Sequence, residues 1–189
     1  MDLNDKLLNA VPLKIFTYLC RVPHMPHYER EIARSVEASV GATNQTLKLL
    51  LGMGIVTREK KGQLYLYRVI TDHPIVQEFK KFKNILDLNP LLLRIKEVSN
   101  KIVLYGSCAT GEDTLESDID LFVVSKEKEK ILREIRREIK EVKREIKSII
   151  ESVEEYLSMR NKKEPILEEV DKGIVLFDFF QNGFLLISH

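Results

Sequence analysis

Apolar residues recur along the chain at two periods, and the change from one to the other divides it. Leu13-Lys-Ile-Phe-Thr-Tyr-Leu-Cys20 spaces its apolar residues for one helical face, with Pro12 suited to a first turn. Pro23 and Pro26 end that pattern. Glu29–Val36 reads as a second helix with Ile32, Ala33 and Val36 on one face. Ser39 is a suitable N-cap for a third, which turns Thr43, Leu47, Leu50 and Leu51 inward. Gly52 and Gly54 stop it. Two strands follow, Ile55–Glu59 and Gln63–Ile70, with a hairpin turn at Lys60-Lys61-Gly62. Residues 74–86 and 90–98 read as connecting helices parted at Asn89-Pro90.

Beyond this point short apolar strands take over. Lys101–Tyr105 is one, and Gly106-Ser107 and a polar stretch follow it. Ile119–Val124 is a second. Ser125 is placed to cap a charged helix that begins at Lys126. From Leu132 to Leu157 the apolar residues keep helical spacing, so one helix reaching Met159 is one reading. The other breaks it near Arg144 and makes Ile146–Ile150 a strand. Ser152-Val-Glu-Glu155 has the form of a capping box and favours the break. Gly173–Phe177 reads as a last strand. The stretch Phe177–His189 is apolar for a tail, and suits packing against the N-terminal part or a dimer contact.

Composition narrows the class. The chain has 189 residues, 44% hydrophobic and 31% charged, which suits one ordinary domain or two small ones and excludes wholesale disorder. No apolar run approaches the roughly 20 residues that span a bilayer, and the N-terminus lacks a signal-peptide pattern. Cys20 and Cys108 form no metal-binding or disulfide spacing. The expectation is a cytoplasmic protein with reduced thiols and no membrane partner. The Lys, Glu and Ile content with only four Gln gives an archaeal-like, thermophilic cast. The net charge of +1 conceals an asymmetry: residues 1–88 carry 13 Lys/Arg against 9 Asp/Glu, and residues 89–189 carry 17 against 20. A basic first half is compatible with nucleic acid. His24-x-x-His27 has half the makings of a metal site and no evident partners.

The helix, turn, helix and hairpin of roughly residues 10–71 resemble the winged helix-turn-helix of MarR- and ArsR-type regulators. Arg30-x-Ile-Ala33 falls on the supporting helix, Ser39 opens the recognition helix, Leu47 and Leu50 are core, and Gly54-Ile-Val56 enters the wing. The resemblance implies binding of double-stranded DNA. Asn44, Gln45 and Lys48 are expected on the outward face, where Asn and Gln suit adenine and Lys suits guanine or phosphate. Arg58, Lys60 and Lys61 on the wing are expected to contact phosphates. The recognition helix is poor in Arg, which points to a homodimer reading two half-sites. The alternative is a winged helix used for protein contact.

Residues 102–125 read IVLYGSCATGEDTLESDIDLFVVS. A strand, Gly106-Ser107, ten intervening residues and Asp118-x-Asp120 on a second strand resemble the nucleotidyltransferases of the DNA polymerase β superfamily, most of all its minimal members. Alternate residues of a strand point the same way, so Asp118 and Asp120 present two carboxylates together while Ile119 and Leu121 face the core. Such a pair suits Mg²⁺. Gly106 and Ser107 are expected to hold nucleotide phosphates. The resemblance implies attack of an acceptor hydroxyl on the α-phosphorus of a nucleoside triphosphate, with pyrophosphate released. It also implies a third carboxylate on a later strand. Here that place falls at about Lys147 or Ser148, and neither is acidic; Glu145 or Glu151 would serve only in another register. Thr110 stands where many relatives carry Arg. A lysine beside the acids would compete with a metal ion or hold a triphosphate without turnover.

The expected fold class is therefore α+β: a winged helix over residues 1–72, a helical connector over 73–99, and an α/β nucleotidyltransferase domain with a mixed sheet over 100–189. Two functions follow. One is a DNA-bound, Mg²⁺-dependent transferase with catalytic Asp118 and Asp120 and an unidentified acceptor, a toxin protein being one candidate. The other is a transcriptional regulator whose transferase domain senses nucleotide or serves as a dimerisation scaffold. The residue that meets Asp118 and Asp120 discriminates them: a third acid favours the enzyme, Lys147 or Ser148 the regulator.

Overall fold

The computed structural model describes residues 10–179, and the tail beyond Phe179 lies outside them. The chain divides into two compact units, Met1–Lys80 and Lys81–His189.

In the first unit, α1 (Val11–Arg21), α2 (Glu29–Ser35) and α3 (Val40–Gly52) surround a core of Ile15, Leu19, Ile32, Leu47 and Ile55. The short strand β1 (His27–Tyr28) and the hairpin β2 (Val56–Lys61) and β3 (Leu64–Val69) form an antiparallel sheet in the order β1-β3-β2. Ser39 caps α3, its Oγ accepting from the Ala42 amide at 3.2 Å. Thr43, Thr46, Leu47 and Leu50 are the buried face, with Leu51 only half-buried. Gly62 turns the hairpin at φ +66°, a backbone region that glycine enters without strain. His27 meets the Tyr18 hydroxyl through Nδ1, at 3.3 Å.

The connecting helices are one. α4 runs unbroken from Pro74 to Ile95 with Pro90 inside it, its first turns in the first unit and the rest in the second. Proline removes one backbone donor, but Leu88, Leu91 and Ile95 are each fully buried on either side of it. Their packing holds the helical path across the missing bond.

The second unit is built on a mixed four-stranded sheet: β4 (Lys101–Tyr105), β5 (Ile119–Val124), β6 (Ile146–Glu151) and β7 (Ile174–Asp178) in the order β6-β5-β4-β7. β5 and β6 are parallel; the other pairs are antiparallel. Strand alternation sorts the sheet into two faces. Ile119, Leu121, Val123, Ile146 and Ile150 pack with Leu88, Leu91 and Ile95 of α4 and with Ile131 and Ile135 of α6 (Lys128–Val142). Phe122, Val124, Val103 and Tyr105 pack with Tyr156 of α7 (Val153–Lys162) and with Leu167 and Val170 of α8 (Ile166–Asp171). Residues 118, 120 and 147 share the parity of this second face.

The break near Arg144 is real. Lys143 closes α6 in a left-handed conformation, β6 follows, and Ser152 and Glu155 form the expected capping box of α7. Ser125 does not cap α6, which begins at Lys128. Its Oγ donates to the Val98 carbonyl and accepts from the Glu127 amide, tying the end of β5 to the turn before β4. The polar face of α6 is not purely solvated either: Arg94 of α4 reaches Glu134 at 2.8 Å and also binds the buried Glu138.

Candidate nucleotide site

β4 and β5 lie side by side, with Tyr105 opposite Asp120, so the end of one strand meets the start of the other. At that point Gly106 takes φ +69°, and a Cβ there would stand 2.7 Å from Asp120 Oδ2. Any side chain would collide with the carboxylate, and L residues avoid this backbone region besides. The Gly106 position is therefore set by the close passage of the main chain past Asp120. A single tight turn, α5 (Ser107–Thr110), follows. The Ser107 carbonyl accepts from the amides of Gly111, Glu112 and Asp113 at 2.9–3.3 Å, which folds the polar stretch back on itself. Gly106, Ser107, Asp118 and Asp120 are all half-buried at one end of the two central strands.

A buried network that no sequence spacing marks fixes this end of the strands. Arg144, just after α6, donates to the Ser117 carbonyl through Nε (3.0 Å) and Nη2 (2.9 Å). It also donates to Asn84 Oδ1 at 3.1 Å and Cys108 Sγ at 3.1 Å, and it pairs with Asp113 Oδ2 at 3.3 Å. Asn84 of α4 donates in turn to the Cys108 carbonyl and Asp113 Oδ1. Cys108 Sγ donates to the Asp118 carbonyl at 3.3 Å. The main chain beside Asp118 is thus clamped from two sides. Cys108 is fully buried, and burial pushes its thiol up to about 11 against the opposing pull of Arg144, the environment of a packed residue.

The third acid is absent from its expected place. The parallel register sets Lys147 opposite Asp120, and Lys147 Nζ lies 2.6 Å from Asp118 Oδ2. Asp118 holds the ammonium's pKa above its ordinary value. Burial raises the Asp120 carboxyl, with Lys147 pulling the other way and Asp118 and Glu169 adding to the rise. Glu151 pairs with Val124, four residues along the strand from Lys147 and about 13 Å away at the rise of a β-strand. Glu145 and Glu169 act on the site through charge, Glu145 on Lys147 and Glu169 on Asp120. No group of three acid, His or Cys side chains able to hold a metal ion occurs among the described residues. Two carboxylates, one of them engaged by an ammonium, do not fit the three-acid site that the resemblance implies.

In the first unit, Gln45 and Lys48 are exposed one turn apart on α3, and Arg58, Lys60 and Lys61 are exposed on β2. Arg58 lies over the Tyr65 ring at 4.3 Å. Asn44 differs from expectation. It is half-buried, and its Nδ2 donates to Glu29 Oε2 at 2.7 Å, which ties α3 to α2 instead of facing outward. No helix among the described residues is long and apolar enough to cross a membrane.

No curated protein matches the chain. A family model described as a nucleotidyltransferase domain matches residues 80–175, just over half of its length. That span holds the Gly106 turn, both aspartates, Lys147 and Arg144. On this match, the chain belongs to the nucleotidyltransferase domain family.

Proposed function

We propose that the chain is a DNA-binding protein whose nucleotidyltransferase domain takes a nucleoside triphosphate at Gly106, Ser107, Asp118 and Asp120, and that it acts as a nucleotide-responsive regulator. The observation that carries the nucleotide reading is the approach of Gly106 to the Asp120 carboxylate, which leaves a bare backbone turn beside two acids. The turn would receive phosphate oxygens on main-chain amides and the Ser107 hydroxyl. The observation that favours a regulator is Lys147 on Asp118 in place of a third acid. We derive no metal-assisted step from this residue set.

The N-terminal unit, taken as residues 1–72 with 73–99 as its connector, is in this reading a winged helix. The α2–α3 pair followed by the β2–β3 hairpin supports it. Gln45 and Lys48 would face the major groove, with Arg58, Lys60 and Lys61 on phosphates and a homodimer spanning two half-sites. Asn44 would contribute through its bond to Glu29, by orienting α3, instead of touching a base.

Transfer of a nucleoside monophosphate to an acceptor hydroxyl, such as one on a partner protein, is the second reading. Family membership and the intact Gly106-Ser107 and Asp118-x-Asp120 favour it. Both are tested with labelled nucleoside triphosphates and Mg²⁺, scoring binding and pyrophosphate release in the wild type and in Asp118→Ala/Asp120→Ala. Binding without release, lost in the double variant, supports the regulator. Release that the double variant abolishes establishes the transferase. Wild-type chain that neither binds nor releases contradicts both.

A further inference from the structure

We infer that Lys147 is a counter-cation built into the nucleotide site, so that the site without nucleotide rejects free divalent metal. The inference deepens the reading above, since it takes Asp118 and Asp120 to be the acids of that site.

The position of Lys147 is set by the sheet. Ile119 pairs with Ile146 and Val123 with Ile150, and all four are buried in the core on the opposite face. A slip of one residue would drive those apolar side chains out and the lysine in. Lys147 therefore stays on the face of Asp118 and Asp120 although its side chain is 60% exposed. Its ammonium lies 2.6 Å from Asp118 Oδ2, within direct contact of one carboxylate. Asp120, opposite it in the register, also feels its charge. A divalent ion seeking those two carboxylates meets a positive charge already in contact with one of them.

The acids are otherwise plentiful. Glu145 acts on Lys147 through charge and Glu169 on Asp120, yet no three acids converge as a metal site among the described residues. One ammonium thus stands among three carboxylates that act on it, Asp118, Asp120 and Glu145, with Glu169 acting on Asp120. Removing it should unmask affinity for a cation.

The test is a Mn²⁺ titration of the full chain without nucleotide, read by the loss of the free-ion electron paramagnetic resonance signal. A charge in contact shifts a neighbouring acid's affinity for a proton by one to three decades. Lys147→Gln is accordingly expected to bind Mn²⁺ about tenfold or more tightly than wild type. Lys147→Arg keeps the charge and is expected to behave as wild type. Adding Asp118→Asn to Lys147→Gln is expected to remove the gain. Wild type binding Mn²⁺ as tightly as Lys147→Gln overturns the inference, as does a gain that survives Asp118→Asn. A parallel titration with labelled nucleotide separates the two ideas: failure of every variant to bind nucleotide sinks the proposed function, while the Mn²⁺ comparison still decides the role of Lys147.

Discussion

Replacing Arg144 with Met should unlock the nucleotide site without touching a residue that faces it. The Arg144 side chain is 12% exposed and that of Asp113 7%, so the pair counts as desolvated and not as a surface ion pair. Removing one partner of such a pair costs about 3–5 kcal/mol, because the remaining charge stays in a poorly solvating place. The lost donors to Ser117, Asn84 and Cys108 fall within that figure and are not added to it. At roughly 4–8 °C per kcal/mol for a domain of this size, the transition of the C-terminal unit should drop by about 12 °C or more. Scanning calorimetry of the full chain reads it, because only the transition that includes the second unit should move. Arg144→Lys keeps the charge but not the fork and should fall between. Adding Asp113→Asn to Arg144→Met should recover about 1 kcal/mol, as expected for groups in contact. A melting point within about 2 °C of wild type, or no recovery in the double variant, would refute the clamp.

Further outcomes follow from the nucleotide site and from the proposed winged helix. Gly106→Ala places a Cβ 2.7 Å from Asp120 Oδ2 at φ +69°, and labelled-nucleotide titration should show affinity reduced about tenfold or more, the equivalent of 1.4 kcal/mol. Cys108, pushed up to about 11, should alkylate roughly a hundredfold more slowly at pH 8 in the native chain than in denaturant, as read by peptide mass spectrometry. The native state keeps a proton that the unfolded thiol loses near its ordinary value, so this group costs stability as pH rises from about 9 to 11 and is neutral below. On the proposed winged-helix reading, Lys60→Ala/Lys61→Ala should weaken DNA binding about equally across sequences and flatten its salt dependence by about two units, whereas Gln45→Ala should relax base preference, both read by titrations at several salt concentrations.

What the sequence disclosed was what local chemistry decides. Ser39 and Ser152 are legible as caps because a cap is a contract between residues three apart. The break near Arg144 is legible for the same reason, and with it came the placing of Lys147 where an acid was expected. Pro90 misled because proline's local penalty was outweighed by three buried leucine and isoleucine side chains that only tertiary packing supplies. Ser125 looked like a cap and instead bonds the Val98 carbonyl, a partner 27 residues away. Asn44 had the right residue type for reading a base, but Glu29 claims its amide from the neighbouring helix. The Arg144 clamp was invisible for a related reason. Asn84 and Arg144 come from stretches distant from each other and from the segment 108–117 that holds Cys108, Asp113 and Ser117, and no spacing in the sequence marks them as partners.

The most direct test of the account is a crystal structure of the full chain with a non-hydrolysable nucleoside triphosphate and Mg²⁺. Phosphate oxygens are expected on the Gly106–Ser107 turn, the nucleotide beside Asp118 and Asp120, and Lys147 still on Asp118. A nucleotide bound elsewhere, or two metal ions bridging the aspartates with Lys147 swung away, would contradict that arrangement.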